Sequence, residues 1–176
     1  MNQDLEKVFE RILGMPCWDV KPGQGSFLTL EFGKPHLVVR EPIPARQGSS
    51  AKVREHLARR QVYARGEWHL WIKYCDWEVH CKGKRVGDSS TELDTRHAAN
   101  FLNGQKLIRY SILPRKVQSI FVFDLGATLK TFPYDANSEQ WLLFGPSKKV
   151  FIVRADGRHE YVRSDVPADE GALRLV

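Results

Sequence analysis

Two stretches of the chain repeat apolar residues at the three- and four-residue spacing that places them on one face of a helix. They are residues 3–13 and residues 90–103, and Gly14 and Gly104 stand where a helix commonly ends. Residues 89–92 (SSTE) add a capping-box pattern at the start of the second stretch. The pattern therefore predicts two main helices.

Most of the remaining chain alternates apolar and polar residues with the period of two that is typical of β-strands. The alternation predicts roughly eight to ten strands, joined by hairpin turns such as the one at Asp156-Gly157. From Trp68 the apolar residues fall on even numbers, but from Cys75 they fall on odd numbers, which predicts a turn near residues 73–76. Together these elements predict an α+β fold that is predominantly antiparallel sheet.

Three segments of the first half of the chain match segments of the second half in the same order. Residues 26–33 (SFLTLEFG) align without a gap on residues 119–126 (SIFVFDLG). The other two matches are 12–14 with 102–104 and 68–81 with 141–154. This order predicts an internal duplication of one helix-plus-hairpins unit.

The predicted domain organisation follows from that duplication. Residues 1–165 are expected to form a single domain, made of two diverged pseudo-repeats over about 3–89 and 90–165. Residues 166–176 carry proline, acidic residues and glycine, which predicts a loosely ordered tail.

Composition narrows the class of protein without naming an activity. Apolar residues make up 42% of the 176-residue chain, and no apolar run reaches the roughly 20 residues of a membrane helix. The N-terminal residues lack the apolar segment of a signal peptide, so the predicted location is the cytoplasm. Three cysteines without a C-x-x-C pair predict free thiols, with Cys81 buried, and no disulfide framework.

The sequence predicts no catalytic residue, no metal site and no cofactor. The six histidines are scattered, and His69 alternates with apolar residues, which places it on an outer, solvated strand face. Cys75 and Cys81 are too far apart along a strand to converge on a zinc ion. Glu31 and Asp124 hold matching places in the two repeats and are candidates for a carboxylate pair, but their pattern favours a polar outer face.

One insertion distinguishes the first predicted repeat from the second. Residues 133–139 form a short link in the second repeat, whereas the first repeat carries residues 42–66 at the matching place. The insertion holds a net charge of +5 out of the +6 of the whole chain, and a short basic helix is predicted in it with Val53 and Leu57 facing inward. Its six cations are Arg46, Lys52, Arg54, Arg59, Arg60 and Arg65.

These cations have two interpretations. They either form a solvated helix face, with Arg59 pairing with Glu55, or they form a surface for an anionic partner. The partner favoured for such a surface is an acidic protein. Nucleic acid is the less favoured alternative, with Tyr63 and Trp68 as candidates for stacking on bases. A third hypothesis is an enzyme with a site between the two repeats, since ligand pockets favour such junctions.

Residues 25–33 (GSFLTLEFG) and 66–72 (GEWHLWI) resemble blocks of small, uncharacterised bacterial proteins. The layout of a glycine-ended helix, a strand ending in Phe-Gly and a Glu-x-Trp strand also resembles that of immunity-type proteins of bacterial toxin systems. The resemblance implies a non-enzymatic module that binds and neutralises another protein. It carries no catalytic residues that can be transferred to this chain.

Overall fold

A computed structural model describes residues 3–113, 117–164 and 174–175 of the chain. These residues form fourteen strands, three α-helices and one short 3-10 helix, Pro146–Lys148. The helices are α1 (Gln3–Phe9), α2 (Ala51–Leu57) and α3 (Glu92–Leu102). The strands are β1 (Cys17–Pro22), β2 (Leu28–Phe32), β3 (His36–Arg40), β4 (Gln61–Arg65), β5 (Trp68–Ile72), β6 (Cys75–Cys81), β7 (Lys84–Asp88), β8 (Leu107–Leu113), β9 (Gln118–Phe123), β10 (Ala127–Pro133), β11 (Glu139–Gly145), β12 (Lys149–Arg154), β13 (Arg158–Arg163) and β14 (Arg174–Leu175).

The strands form two main sheets and a separate two-stranded ribbon. Sheet 1 has the order β1-β2-β5-β11-β12-β13-β14, and sheet 2 has the order β7-β6-β10-β9-β8. The ribbon pairs β3 with β4. All pairings between these strands are antiparallel.

The core lies between the inner faces of the two sheets. Leu30 and Leu70 of sheet 1 and Val79 and Leu129 of sheet 2 are fully buried in one continuous cluster. Rings meet across the gap as well, because Phe121 of sheet 2 lies edge-on to Trp141 of sheet 1 at 5.9 Å between centroids. Sheet-on-sheet packing thus provides the second layer that each amphipathic sheet requires.

The predicted α+β class with two main helices is wrong, because the fold is a mostly antiparallel β structure. The first predicted helix stops at Phe9, and turns continue to Gly14. Phe9 and Ile12 still reach the core, so the apolar spacing of that segment reflects burial rather than a long helix. The second predicted helix is present as α3, with Thr91 capping it by accepting from the Asp94 amide.

The turn predicted near residues 73–76 is present as a break between two strands, but these strands, β5 and β6, do not pair with each other as a hairpin. Strand β5 ends at Ile72, Tyr74 has a positive φ of 44°, and β6 begins at Cys75. The chain crosses here from sheet 1 to sheet 2, so both alternating sets of apolar residues point into the same core. The matched segment 141–154 behaves differently, because β11 and β12 pair directly as a hairpin.

Reciprocal hydrogen bonds join the segments that follow α1 and α3. The Gly14 amide donates to the Leu107 carbonyl and the Gly104 amide to the Cys17 carbonyl, each at 2.7 Å. These paired bonds relate residues 14–17 to 104–107 by a local twofold axis. The internal duplication and the single domain of two pseudo-repeats stay predictions. Except for strand β14, the predicted tail 166–176 lies outside the described residues.

None of the described helices is long and apolar enough to cross a lipid bilayer.

A buried chain of polar groups connects the two sheets. The Trp141 indole donates to the Ser119 hydroxyl at 2.8 Å, and the Ser119 amide donates to the Thr131 hydroxyl at 3.1 Å. Thr131 in turn donates to the Gln140 side chain at 3.0 Å, and Gln140 donates to the Val117 carbonyl at 2.8 Å. Sheet 1 supplies Trp141 and Gln140, while sheet 2 supplies Ser119 and Thr131.

Removing the Thr131 hydroxyl should destabilise the protein markedly. Thr131→Val leaves the buried Ser119 amide and the side-chain Oε1 of Gln140 without their shared partner, so the free energy of unfolding should fall by about 2–4 kcal/mol. Thr128→Val on the same strand is the control, because Thr128 is only half-buried and should change stability by about 0.5 kcal/mol or less. Urea unfolding measures both, and equal losses would contradict the role of the polar chain.

The three cysteines are free thiols, and they differ in exposure. Burial raises the pKa of Cys17 to about 12 and raises that of Cys75 further above its usual range. Cys81 is half-buried at the end of β6, so the prediction that it is buried is wrong.

Thiol labelling should therefore separate Cys81 from the other two cysteines. In the native protein a disulfide reagent should modify Cys81 within minutes, because Cys81 is partly exposed whereas Cys17 and Cys75 are buried. Cys17 and Cys75 should react only on global unfolding. Mass spectrometry of Cys81→Ser provides the check: any fast modification left in that variant would contradict the assignment.

Candidate functional site

The β3–α2–β4 segment, residues 36–65, extends from sheet 1 and is called the arm here. Strands β3 and β4 form its ribbon, and α2 lies at its far end. The Ser50 hydroxyl accepts from the Val53 amide and starts the helix, and the Ile43 amide donates to the Leu57 carbonyl to close the loop. Contrary to the sequence expectation, α2 has no buried residue and Val53 is exposed.

The ribbon of the arm leaves one apolar face uncovered. Val39 lies opposite Val62 and Leu37 lies opposite Ala64, so all four side chains share a face. Leu37, Val39 and Val62 are 73%, 52% and 58% exposed. Soluble proteins seldom leave such residues side by side in solvent without a partner that covers them.

The six predicted cations all lie on the arm, but half of them already have acidic partners. Arg59 pairs with Glu55 on α2, and Arg60 pairs with Glu41 at 2.9 Å. Arg46, Lys52 and Arg54 lie exposed around the far end, where Arg54 donates to the Ser49 carbonyl. The predicted basic surface is therefore reduced to three cations that no acidic side chain neutralises among the described residues.

Arg65 belongs to a different place, the root of the arm. Its Nε lies 3.6 Å from Glu31 Oε1 on β2. Glu31 also accepts from the Gly66 amide at 2.9 Å and is 2.8 Å from His69 Nδ1 on the neighbouring strand β5. Gly66 is needed here, because a Cβ would strike the Phe32 carbonyl. The Glu31 carboxylate thus fastens the root of the arm to sheet 1.

Glu31 and His69 were expected to be solvated, and the structure buries them. They are 5% and 6% exposed, although both point to the outer face of sheet 1 as the alternation predicts. The root of the arm passes over that face and covers them. The insertion was the only sequence signal for this cover, because alternation assigns a face to a side chain without showing what lies above it.

A groove of about 1200 Å³ runs between the root of the arm and the outer face of sheet 1. Glu31 and His69 lie in its floor, together with Thr29. Aromatic side chains form much of the wall. They are Trp18, Phe27, Tyr63, Trp71 and Phe144.

Two of the sequence-predicted candidates lie differently from expectation. Trp68 is 4% exposed in the core, so its proposed stacking on bases is wrong, whereas Tyr63 does line the groove. Asp124 sits in the β9–β10 turn of sheet 2, where it accepts from the Lys106 amide at 2.7 Å. Glu31 and Asp124 therefore do not form a carboxylate pair. Within residues 3–113 and 117–164, no group of side chains has the composition of a metal site.

Comparison of the chain with protein-family models, curated proteins and solved structures finds no match.

Removing the Glu31 carboxylate should release the root of the arm. Glu31→Ala leaves the Gly66 amide and His69 without their acceptor, so we expect the free energy of unfolding to fall by about 2–4 kcal/mol. Trypsin should also cleave the arginine-rich arm faster. Glu41→Ala is the matched control, because the exposed pair with Arg60 is worth about 1 kcal/mol at most. Equal rates of arm cleavage in the two variants would show that Glu31 does not hold the arm.

Proposed function

We propose that this protein is a non-enzymatic module that binds an acidic protein through the apolar face of its arm. The observation that carries the proposal is the uncovered set Leu37, Val39 and Val62 on a ribbon whose far end is cationic. Protein interfaces combine an apolar centre with a polar rim in which arginine is enriched, and the arm has both.

Among the residues that the structure describes, the two-stranded ribbon of the arm also lacks a layer that covers its apolar face and strands that pair with its edges. Two-stranded ribbons are marginally stable alone, and a partner that covers one face stabilises them. The ribbon pairs only β3 with β4, so each strand keeps one edge unpaired within the described part of the chain. A partner can therefore add backbone hydrogen bonds at an edge to the apolar contacts on the face.

Charge selects the kind of partner. Insertion 42–66 carries a net charge of +5, so two copies of the arm packed face to face would repel each other. An acidic protein gains from the same field, both in the rate of encounter and in the choice of partner. Neutralisation of a toxin in the bacterial cytoplasm, the role implied by the immunity-type resemblance, is part of this proposal.

Nucleic acid is the weaker alternative. Phosphate binding draws its affinity from cations that release counterions, and Arg59, Arg60 and Arg65 already face carboxylates. The stacking role proposed for Trp68 also fails, since its ring is buried. An enzyme with a site between the repeats has less support, because all but two of the described residues that line the groove, Asn103 and Phe144, belong to the first predicted repeat.

Selection from a random peptide library on the immobilised protein tests the proposal. We expect the enriched peptides to combine Asp or Glu with large apolar residues. Synthetic peptides with the enriched sequences should bind the variant L37S/V39S/V62S at least about tenfold more weakly than the wild type, a difference of 1.4 kcal/mol. The control L93S/L125S removes exposed leucines outside the arm and should keep the affinity within about twofold.

Two results would refute the proposal. The first is enrichment of neutral or basic peptides. The second is equal binding of the enriched peptides by the variant L37S/V39S/V62S and by the wild type. A third result would transfer the function to nucleic acid: binding of oligo(dT) with a log–log salt slope of about −2, which R46A/K52A/R54A abolishes.

A further inference from the structure

The groove between the root of the arm and sheet 1 differs from the apolar face of the arm. Tyr63 and Arg65 alternate with Val62 along β4, so their side chains leave the ribbon on the side opposite that face. Ala64 of the apolar face borders the groove as well, but a ligand stacked on Tyr63 and a protein seated on Leu37 and Val62 contact different side chains. What the groove can hold is argued from its charges, its hydrogen-bonding groups and its rings.

The charges that line the groove cancel. Lys21 Nζ lies 2.7 Å from Asp19 Oδ2, and Arg65 Nε lies 3.6 Å from Glu31 Oε1. Both pairs are internal to the groove wall and floor. A strongly charged ligand would have to compete with one member of each pair, whereas a neutral ligand leaves both pairs intact. The arrangement thus favours a neutral ligand.

The groove offers both donors and acceptors of hydrogen bonds. The side-chain Oδ1 of Asn103 accepts from the Val20 amide, which leaves the side-chain NH₂ group of Asn103 as a donor. Thr29 donates its hydroxyl proton to the Lys21 carbonyl, which leaves the hydroxyl oxygen of Thr29 as an acceptor. Arg65 retains guanidinium N–H groups beyond the one that faces Glu31. A ligand rich in hydroxyl groups matches this mixture, because each hydroxyl both donates and accepts.

The rings of the wall supply flat apolar contact. Trp71 is only half-buried and is braced edge-on by Phe27 at 5.6 Å between centroids, and Tyr63 lines the groove from the arm. Lys73 Nζ lies 4.7 Å from the Trp71 ring centroid and the Arg65 guanidinium lies 5.3 Å from that of Tyr63, so one face of each ring is left for a ligand. Rigid aromatic faces pack well against the C–H faces of pyranose rings and lose little side-chain entropy in doing so. The volume of about 1200 Å³ exceeds the roughly 300–1,000 Å³ of sites for one small molecule. The space therefore fits several linked rings.

We propose that the groove binds a neutral oligosaccharide, with Tyr63 and Trp71 stacking on its sugar rings and Thr29, Arg65 and Asn103 contacting its hydroxyl groups. Single-stranded nucleic acid would also stack on aromatic rings, but it needs cations that are not already paired. A proline-rich peptide also suits an aromatic groove, but it would leave most of the polar groups of the wall unused.

Titration with neutral hexasaccharides of glucose, xylose and N-acetylglucosamine tests this site, with calorimetry and tryptophan fluorescence as readouts. We expect saturable binding of at least one of them by the wild-type protein. Tyr63→Ala should weaken it at least about tenfold, or about 1.4 kcal/mol, because the variant loses the ring that stacks on the sugar. Tyr63→Phe keeps the ring and should bind within about threefold of the wild type.

Tyr134→Ala is the matched control, because Tyr134 is an exposed ring outside the groove. Trp71→Ala should abolish sugar binding while its circular-dichroism melt matches that of the wild type. Tyr63→Ala tests the same site without touching the core, because Tyr63 lies on the arm. Absence of binding by all three sugars at millimolar concentration would overturn the proposal. Equal binding by Tyr63→Ala, or binding only of oligo(dT) or hexaproline, would overturn it as well.

Discussion

The buried polar chain that runs through Thr131 and Gln140 determines how the two sheets face each other. Apolar side chains alone tolerate small shifts between packed sheets, whereas a buried hydrogen bond is lost when its partners move apart. Gln140 is fully buried and reaches Thr131 on sheet 2 as well as the Val117 carbonyl. This one side chain therefore holds sheet 1 in register against sheet 2.

That register reaches the outer face of sheet 1, where the groove lies. Trp141 points inward beside Gln140 across an irregularity in β11, and further along the strand Phe144 points outward into the groove wall. Because successive side chains of a strand alternate between faces, a slip that moved Trp141 would displace Phe144 with it. The position of the groove wall therefore depends on the same hydrogen bonds that align the two sheets in the core.

Sequence reasoning reached the local elements of this fold and missed their arrangement. The shift of the apolar residues from even to odd positions between Trp68 and Cys75 predicted the break before β6, since the alternation along a strand shifts only at a bulge or a turn. The same pattern could not show that the chain crosses to a second sheet there, because pairing partners are distant in sequence. The apolar spacing of residues 3–13 predicts a longer helix than the structure has, because the same spacing fits a helix and a turn packed on a core equally well.

The candidate site was predicted in part. The cations of the arm were located correctly along the chain, but their neutralisation depends on Glu41 and Glu31, which lie outside the insertion. His69 was assigned to the correct face of its strand, yet its burial depends on the arm folding back over that face. Both failures have one cause, which is that contacts between distant segments leave no local pattern in a single sequence.

The crossing between β5 and β6 has a consequence for how the chain folds. Sheet 1 combines β1, β2 and β5 with strands of the C-terminal half, and sheet 2 combines β6 and β7 with β8 to β10. Neither half of the chain can therefore complete a sheet by itself, because the pairing of β6 with β10 and of β5 with β11 must await the synthesis of the second half. Folding that depends on such distant contacts is slow, and unpaired strand edges stay open to other chains while it proceeds. A nascent chain that has emerged only as far as α3 thus depends on protection from aggregation until its second half arrives.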